Sequence, residues 1–499
     1  MSSSADRPPF RSVLRSVLLG VHVRPNGPTR PHLLALLLLP AALLLGGIGT
    51  PTAAQDPGTE LEALEVGPHG RYLQHQDGSP FFYLGDTAWE LFHRLDEEEA
   101  DRYLENRAAK GFTVVQAVVL AQLGGLDVPN ANGDRPLEEK DPTRPNEAYF
   151  RHVDRIVERA GELGLRVGML PTWGSHWKEG PDQIFTAENA RDFGQYLGER
   201  YRDAPVIWIL GGDANPDTPE ERAIITAMAE GLEEGDGGAH LMTYHPRGPG
   251  LSTEQFPSAE WVDFHMYQSS HAAHDHDTGL FAEHDRAIAP PKPTLDGEPR
   301  YEAIPVGFYL DGYNRHDRFT AYDVRQAAYW SLLGGAAGHT YGNNNIWQMW
   351  APGREPVIGA STPWYEALDH PGAFQMGHVR ELFTARPFTR LRPDAEFVVD
   401  GPRTGGAKIR AMRARDSSFA FIYSPRGASF TVDQTRIAGV EVREIWYDPR
   451  YGRSHPIHTT DTKAFQTYTP PTSGRGNDWI LLLENAAEDF PLPGSPETP

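Results

Sequence analysis

The sequence predicts an α/β protein, a (β/α)8 TIM barrel followed by a small antiparallel β-sandwich. Between residues 81 and 383, short apolar segments rich in β-branched residues alternate eight times with stretches of helical period, which is typical of a parallel barrel. After Arg392, short alternating segments follow one another between Gly, Pro, Asp and Ser turns, with no helical stretch between them. A doubly wound parallel sheet is the alternative for the first part, because it also alternates strands with helices.

Eight segments are predicted as barrel strands because they are short, apolar and bounded by turn residues. The second of them is almost wholly apolar, as expected of a strand that is buried on both faces. In chain order the predicted strands are Phe81–Leu84, Thr113–Leu120, Arg166–Leu170, Val206–Leu210, Leu241–Tyr244, Val262–Tyr267, Pro293–Leu295 and Gly338–Tyr341.

The stretches between the strands carry helix signals. Asp96 can cap the first helix and Gly111 can end it, while apolar residues in the second recur at helical spacing. The predicted helices are Asp96–Lys110, Pro145–Glu162, Glu188–Tyr201, Pro219–Glu233, Ala321–Leu333 and His378–Phe383.

The region after the barrel has the period-two pattern of half-buried strands. We therefore expect a leader over residues 1–55, a barrel over 56–390, a β-sandwich over 393–490 and a tail over 491–499. The predicted sandwich strands are Ala407–Arg413, Ser418–Tyr423, Ser429–Val432, Val440–Tyr447 and Trp479–Glu484.

The leader has the three parts of a secretory signal peptide. Five arginines precede an apolar run from Leu33 to Leu45, and the small residues Thr52-Ala53-Ala54 follow it. The run is short for a membrane span and is interrupted by Pro40. We expect cleavage after Ala54 and a secreted or periplasmic protein, with membrane contact only if the segment stays uncleaved.

Composition excludes several classes of partner and chemistry. The 68 acidic against 46 basic side chains give a formal charge of −22, which disfavours binding to nucleic acid and to anionic membrane surfaces. The absence of cysteine excludes disulfides, thiolate metal sites and cysteine nucleophiles. Without a GxGxxG, P-loop or GxSxG motif, we expect neither a nucleotide, nor a cofactor, nor serine-hydrolase chemistry.

One segment resembles a metal site, because His271, His274, Asp275, His276 and Asp277 lie within seven residues. Ligands bunched on one loop rarely form a metal site, and the zinc spacing HExxH is absent. The sequence therefore predicts no bound metal.

Polar or aromatic residues follow every predicted strand, where the active site of a barrel lies. Carboxylates, imidazoles, amides and aromatic rings that converge in this way are typical of a carbohydrate site. The residues expected to bind the substrate are Asp86, Trp89, Gln116, Trp173, His265, Tyr267, Gln268, His271, Tyr341, Asn343 and Trp347.

Two carboxyl groups are expected to act on a glycosidic bond, Asp213 at the end of strand four and Glu298 beyond strand seven. These strand ends face each other across the mouth of a barrel, and glycosidic cleavage needs one protonated and one ionised carboxyl group on opposite sides of the bond. A helix N-cap is the alternative for Asp213, since Pro219-Glu220-Glu221 follows it.

Other polar residues could share or support these roles. Asp296 and Glu302 flank Glu298 and compete with it. Asp86 is expected to bind a substrate hydroxyl or to orient a neighbour. Tyr267 and His265 are expected to hold the carboxylate after strand seven in its ionised state.

With these residues identified, the chain resembles the apiosidase-like glycoside hydrolases, glycoside hydrolase family 140 and its relatives. The resemblance covers residues 66 to about 390 and is carried by FFYLGDTAWELFHRL, GFTVVQAVVL, VIWILGGDANP, FHMYQSSH, LDGEPRYE and GHTYGNNNIW. The segments IWYDPRYG and DWILLLE resemble a C-terminal module that carries a collagen-binding label.

The resemblance implies a (β/α)8 barrel that releases the branched pentose apiose from a pectic side chain with an Asp and a Glu. These two carry over to Asp213 in GGDANP and Glu298 in DGEPRYE. The strand-four residue is Asp, whereas the wider clan of retaining barrel hydrolases has Glu preceded by Asn, so retention and inversion both stay open.

We expect an exo-acting glycosidase on plant-type polysaccharide, with Asp213 as general acid/base and Glu298 as nucleophile in a retaining mechanism. The alternatives are an endo-acting hydrolase of another glycan and a non-catalytic surface protein that binds carbohydrate or matrix.

Overall fold

A computed structural model describes residues 61–494, and its larger part is the predicted barrel of parallel strands. The predicted signal peptide lies outside the described residues. The barrel strands are β1 (Tyr83–Thr87), β2 (Val114–Leu120), β3 (Arg166–Thr172), β4 (Val206–Leu210), β5 (Met242–Tyr244), β6 (His265–Gln268), β7 (Thr294–Asp296) and β8 (Gly338–Tyr341).

The order of these strands distinguishes the barrel from a doubly wound sheet. Neighbours run from β5 through β4, β3, β2 and β1 to β8, β7 and β6, so every strand except β5 pairs with the next in sequence and β8 pairs with β1. Between β5 and β6 the backbone N–H of Asp263 donates to the carbonyl of Met242 at 2.9 Å, and Thr243 Oγ1 donates to the carbonyl of Phe264 at 2.6 Å. These contacts close the ring. A short strand, Gly250–Leu251, pairs antiparallel with β6 beside this seam.

Helices cover the outside of the barrel. The first begins with a capping box in which Asp96 accepts from the backbone N–H of Glu99, as the sequence indicates. Two features were not predicted: a helix after β6, and the start of the last helix at Pro371, seven residues or about two turns before the predicted start. The main helices are α1 (Glu97–Ala109), α2 (Glu147–Glu162), α3 (Ala187–Tyr201), α4 (Pro219–Asp236), α5 (Gly279–Arg286), α6 (Ala321–Leu333) and α7 (Pro371–Thr384), and one-turn helices cover Leu91–Arg94, Ser252–Gln255 and Trp364–Ala367.

Small antiparallel strands precede the barrel, and two antiparallel sheets follow it. The order of the six-stranded sheet is β9-β11-β12-β17-β14-β15, and that of the three-stranded sheet is β10-β13-β16. The N-terminal strands are Leu64–Val66, Leu73–His75 and Pro80–Phe81; the C-terminal strands are β9 (Leu391–Pro393), β10 (Val398–Asp400), β11 (Arg410–Ala414), β12 (Phe419–Ser424), β13 (Phe430–Val432), β14 (Glu441–Asp448), β15 (Arg453–Asp461), β16 (Gln466–Tyr468) and β17 (Trp479–Asn485).

Four of the C-terminal strands were not predicted from the sequence, for two reasons. The strands β9, β10 and β16 have three residues each, too few to show a period. The longer β15 lies at the sheet edge and buries none of its nine residues, so its apolar pattern is absent.

One face of the six-stranded sheet packs on the barrel. Tyr423 stacks on Tyr329 of α6 with ring centroids 4.8 Å apart, and Phe421 meets Phe383 of α7. Between them, Arg325 Nε donates to Asp478 Oδ2 at 2.8 Å in a fully buried ion pair. The sheet is therefore joined to the barrel by a mixed apolar and ionic interface.

Within residues 61–494, no helix is both long enough and apolar enough to cross a membrane.

Candidate active site

The backbone after β4 adopts a rare conformation that places Asp213. Gly211, Gly212 and Asp213 have φ angles of +101°, +80° and +53°, a left-handed region that a non-glycine residue occupies only at a cost. A Cβ at Gly211 would lie 2.3 Å from the carbonyl oxygen of His245, so glycine is needed where the chain crosses the end of β5. The backbone N–H of Asp213 then donates to His245 Nδ1 at 3.2 Å.

The alternative role of Asp213 as a helix cap does not apply. The cap of α4 is Thr218, whose hydroxyl accepts from the backbone N–H of Glu221 at 3.2 Å. The side chain of Asp213 therefore does not cap α4, and it accepts a hydrogen bond from the backbone of Gly248.

Glu298 lies between two imidazoles. His271 Nε2 donates to its Oε1 at 3.2 Å, and His245 Nε2 is 3.2 Å from its Oε2, close but without the alignment of a hydrogen bond. Because Nδ1 of His245 accepts from Asp213, the proton of a neutral His245 is on Nε2, facing Glu298. One imidazole thus contacts both candidate carboxyl residues, so the structure brings Asp213 and Glu298 together.

The two carboxyl groups have opposite protonation preferences. Burial raises the pKa of Asp213 to about 7, and the nearby charge of Glu298 acts in the same direction. Burial alone would also raise the pKa of Glu298, but His245 and His271 outweigh it and lower that pKa to about 2. At mildly acid pH, Asp213 carries a proton and Glu298 carries a charge, which is the arrangement that glycosidic cleavage requires.

Aromatic rings surround this pair. The Trp89 ring meets the His245 ring edge to face, with centroids 5.5 Å apart. Trp89 also contacts the ring of Trp173, with centroids 5.6 Å apart. On the other side, His271 meets Tyr301 at 4.6 Å and Phe308 at 5.8 Å. Apolar ring faces next to a carboxyl pair suit the C–H faces of a sugar.

The segment after β7 adds an exposed ring near this pair. Tyr309 is 46% exposed, and its hydroxyl is 2.5 Å from Ser270 Oγ. Burial of the hydroxyl, with a contribution from the charge of Asp213, raises the pKa of Tyr309, so this ring lies within electrostatic reach of Asp213. Sequence analysis did not identify it, because its loop follows the strand end by thirteen residues.

The structure corrects the expectation that Tyr267 and His265 hold Glu298 ionised. Tyr267 points to the helix layer, where its hydroxyl is 2.6 Å from Ser331 Oγ and its ring stacks on Phe281. His265 lies two residues before Tyr267 in β6, so its side chain is on the same face of the strand. The residues that contact the carboxylate are His245 and His271 instead.

Asp86 also faces the helix layer and not the mouth. Its Oδ2 accepts from Arg107 Nε and from the Tyr103 hydroxyl, both at 2.6 Å, and the side chain is fully buried. Burial raises its pKa, while Arg107 acts against this. The expected contact with a substrate hydroxyl is therefore wrong, since this carboxyl group pairs with α1.

Tyr341 and Asn343 lie on the outer side of the barrel as well. The Tyr341 hydroxyl donates to Glu302 Oε2 at 2.6 Å, and Asn343 Nδ2 lies 2.9 Å from His370 Nδ1. Glu302 therefore does not compete with Glu298. The other competitor, Asp296, is fully buried below the site, and burial raises its pKa to about 8, so it is neutral at pH 7.

The remaining predicted residues line the interior or its rim. Gln116 is buried inside the barrel and donates to Thr340 Oγ1 at 2.7 Å. Gln268 packs against Gly248, and its Oε1 has no partner among residues 61–494. Trp347 shares one apolar cluster with Trp89 and Trp173.

The histidine- and aspartate-rich segment, residues 271–277, contacts α6 and the C-terminal part of the chain. His274 lies 2.9 Å from Asp323 Oδ1, and Asp275 accepts from Arg426 at 2.7 Å. Asp277 accepts from Arg410 of β11. These side chains diverge to separate partners and hold the β6 loop against α6 and the C-terminal sheet.

His245 is a second residue of this site, besides Tyr309, that sequence analysis left unassigned. It follows β5, so its position at the mouth was visible, but its double contact depends on the turn at Gly211. A position at a strand end makes a residue a candidate for the active site, but it does not predict which side chains that residue contacts.

Comparison with known protein families yields two adjoining matches. The family described as "Apiosidase-like, catalytic domain" matches residues 68–390. The family described as "Putative collagen-binding domain of a collagenase" matches residues 392–484. Among curated proteins, none matches the chain.

Solved structures with the same architecture are glycoside hydrolases. A protein described as "Glycoside hydrolase" is 32% identical, with a TM-score of 0.80 over 86% of this chain and 98% of its own. A glycoside hydrolase family 5 protein from Bacteroides vulgatus is 31% identical, with a TM-score of 0.81 over 88% of this chain and 97% of its own. Both similarities extend over the barrel and the C-terminal sheets.

Proposed function

The chain belongs to the apiosidase-like family and is a glycosidase, and from this premise we propose that it is an exported, exo-acting enzyme that removes a sugar from plant-type polysaccharide side chains. Asp213 is the general acid/base and Glu298 the nucleophile of a retaining double displacement. The substrate is a neutral or weakly charged glycan, in keeping with the net charge of −22.

The observation that carries this proposal is the opposite protonation of two carboxyl groups whose residues share one imidazole, Asp213 through its backbone N–H and Glu298 through its carboxylate. Glu298 has a pKa of about 2 and Asp213 of about 7, and both residues contact His245. Pairs of titratable groups whose environments drive their pKa values apart are the acid and base assignments of an enzyme.

In the first step, a carboxylate oxygen of Glu298 attacks the anomeric carbon while Asp213 transfers its proton to the glycosidic oxygen, which leaves as an alcohol. In the second step, Asp213, now ionised, takes a proton from water, the resulting hydroxide attacks the anomeric carbon, and Glu298 departs. The sugar keeps its anomeric configuration, and both carboxyl groups return to their initial protonation.

Export is inferred from the leader, in which arginines, an apolar run and Thr52-Ala53-Ala54 follow in order. Expression in a secreting host, followed by N-terminal sequencing of the mature protein, tests it. Cleavage after Ala54 is expected, and a chain that keeps its leader in the cytoplasm would contradict it.

A screen of pectic and hemicellulosic glycans for released reducing sugar tests the activity, and the size of the first products separates exo from endo cleavage. Release of single sugars from chain or branch ends is expected, whereas larger fragments would identify an endo-acting enzyme.

The mechanism has its own test. Azide should rescue Asp213→Ala on an activated aryl glycoside, because a small anion can then attack the glycosyl-enzyme without a general base. Proton NMR of the first product should show retained configuration. An inverted first product would overturn the nucleophile role of Glu298 while leaving the carboxyl pair in place.

A further inference from the structure

A cavity lies at the end of the barrel opposite the carboxyl pair, where the strands begin. It is bounded by the N-terminal segment, the end of α5, the residues just before β8 and the C-terminal sheet. Three arginines from three parts of the chain line it, namely Arg71, Arg286 and Arg415. The rest of the wall is largely apolar and includes Phe82 and Met412. We refer to it as the three-arginine cavity.

These arginines lack a counter-charge within the part of the chain that the structure describes. None of the three has a carboxylate within 4.0 Å among residues 61–494, although the chain has 68 acidic side chains. By contrast, Arg410, five residues from Arg415, pairs with both Asp277 and Glu283. In a chain with an excess of acidic side chains, a cluster of arginines without an acidic partner is unusual.

Electrostatics shows that the three guanidinium groups affect one another. Burial lowers the pKa of Arg71, and the charge of Arg415 adds to this. Burial, then Arg71 and Arg415, lowers the pKa of Arg286 to about 10. Guanidinium groups are charged at neutral pH, so arginines that share a cavity without a carboxylate repel one another.

The local backbone holds the arginines at this place. Gly335 has a φ of +105°, and a Cβ there would lie 2.2 Å from Cδ of Arg286, so the arginine stem occupies the space that a side chain would fill. Arg286 Nη1 donates to the carbonyl of Gly335 at 3.3 Å, and Arg71 Nη1 donates to the carbonyl of Arg286 at 3.1 Å. The cluster is therefore positioned by main-chain contacts.

We propose that the three-arginine cavity binds a small oxyanion of the phosphate or sulfate class. Guanidinium groups present planar sets of N–H donors that match such anions, and three positive charges suit a divalent one. The anion joins segments that are 344 residues apart in the chain, Arg71 to Arg415, at the face of the barrel that contributes stability and not catalysis. Its effect is to stabilise the folded chain without changing the chemistry at Glu298.

Calorimetry and thermal unfolding of the full mature chain test the proposal. Inorganic phosphate and sulfate are titrated against chloride at matched ionic strength, and D-glucuronate is a third ligand that represents the carboxylate of an acidic sugar. Phosphate or sulfate should bind saturably and raise the Tm, since a ligand that binds only the folded state stabilises it.

The double variant Arg71→Met, Arg415→Met tests the site itself. It should bind phosphate at least tenfold more weakly, while Arg155→Met, which removes an exposed arginine paired with Glu97, should bind as the wild type does. In chloride the double variant should unfold at the same or a higher temperature, because repulsion is removed. If it does not fold, the single variant Arg415→Met, whose side chain is exposed, gives the same comparison.

Three results would overturn the proposal. The first is the absence of saturable binding of phosphate and sulfate, and the second is equal binding by the wild type and the double variant, which would indicate adventitious ions only. The third is binding of D-glucuronate alone, which would assign the cavity to an acidic sugar.

Discussion

Replacing His245 with asparagine should move both limbs of the pH–activity profile to higher pH. Asparagine can place a polar atom near the position of Nδ1 and so keep the contact with the Asp213 backbone, but it removes Nε2, which lies 3.2 Å from Glu298. Glu298 then stays buried with one imidazole, that of His271, instead of two.

The size of the effect follows from the site. The pKa of Glu298 is about 2 against an ordinary 4.5, a preference for the ionised form of roughly 3 kcal/mol at 1.36 kcal/mol per pH unit. The two imidazoles are equally distant, so loss of one should raise this pKa by at least about one pH unit. His245 also acts to lower the pKa of Asp213, so its removal should raise the alkaline limb too.

The assay is kcat/KM against pH, on the glycan that the substrate screen identifies. For the wild type we expect a loss of activity as pH rises through about 7, because Asp213 must be protonated to act as the acid, and no acid limb above pH 3. The variant His245→Asn should gain an acid limb above about pH 3 and lose its alkaline limb at higher pH than the wild type.

Two matched variants sharpen the result. His271→Asn should raise only the acid limb, because His271 contacts Glu298 but not Asp213. Asparagine in place of the exposed His316 should change neither limb. An acid limb that stays below pH 3 in both active-site variants would refute the role assigned to the imidazoles.

The other predictions concern the nucleophile, the interface and the exposed ring. Glu298→Gln should lower kcat by at least about 10³-fold with binding retained, because the lost interaction belongs to the transition state, while Glu302→Gln, four residues on, should keep most of the activity. Asp478→Asn leaves the buried guanidinium of Arg325 without its counter-charge and should lower the free energy of unfolding by about 3–5 kcal/mol in a denaturant titration, and an unchanged midpoint would contradict the buried pair. Tyr309→Ala should raise KM for an oligosaccharide about tenfold, because the lost ring contact is worth roughly 1.4 kcal/mol. Tyr309→Phe keeps the ring and should have the KM of the wild type. An equal loss in both Tyr309 variants would instead assign the effect to the hydroxyl.

The sequence determined the barrel because strand and helix periods are local properties. Apolar runs such as Val206–Leu210 and amphipathic helices such as Glu147–Glu162 could be recognised without knowing their neighbours. Polar residues at the strand ends then placed Asp213 and Glu298 at one end of the barrel, since parallel strands present their carboxyl ends together.

Only the tertiary structure decided which side chains meet. The pleat directs alternate residues to opposite faces, so Tyr267 and Asp86, both near strand ends, turn to the helix layer and pair with Ser331 and Arg107. His245 reaches both carboxyl residues because two glycines let the chain turn across β5. Contacts of this kind join residues that are distant in sequence, and the pKa values that support the proposed acid and nucleophile depend on burial and neighbouring charge, which exist only after the chain has folded.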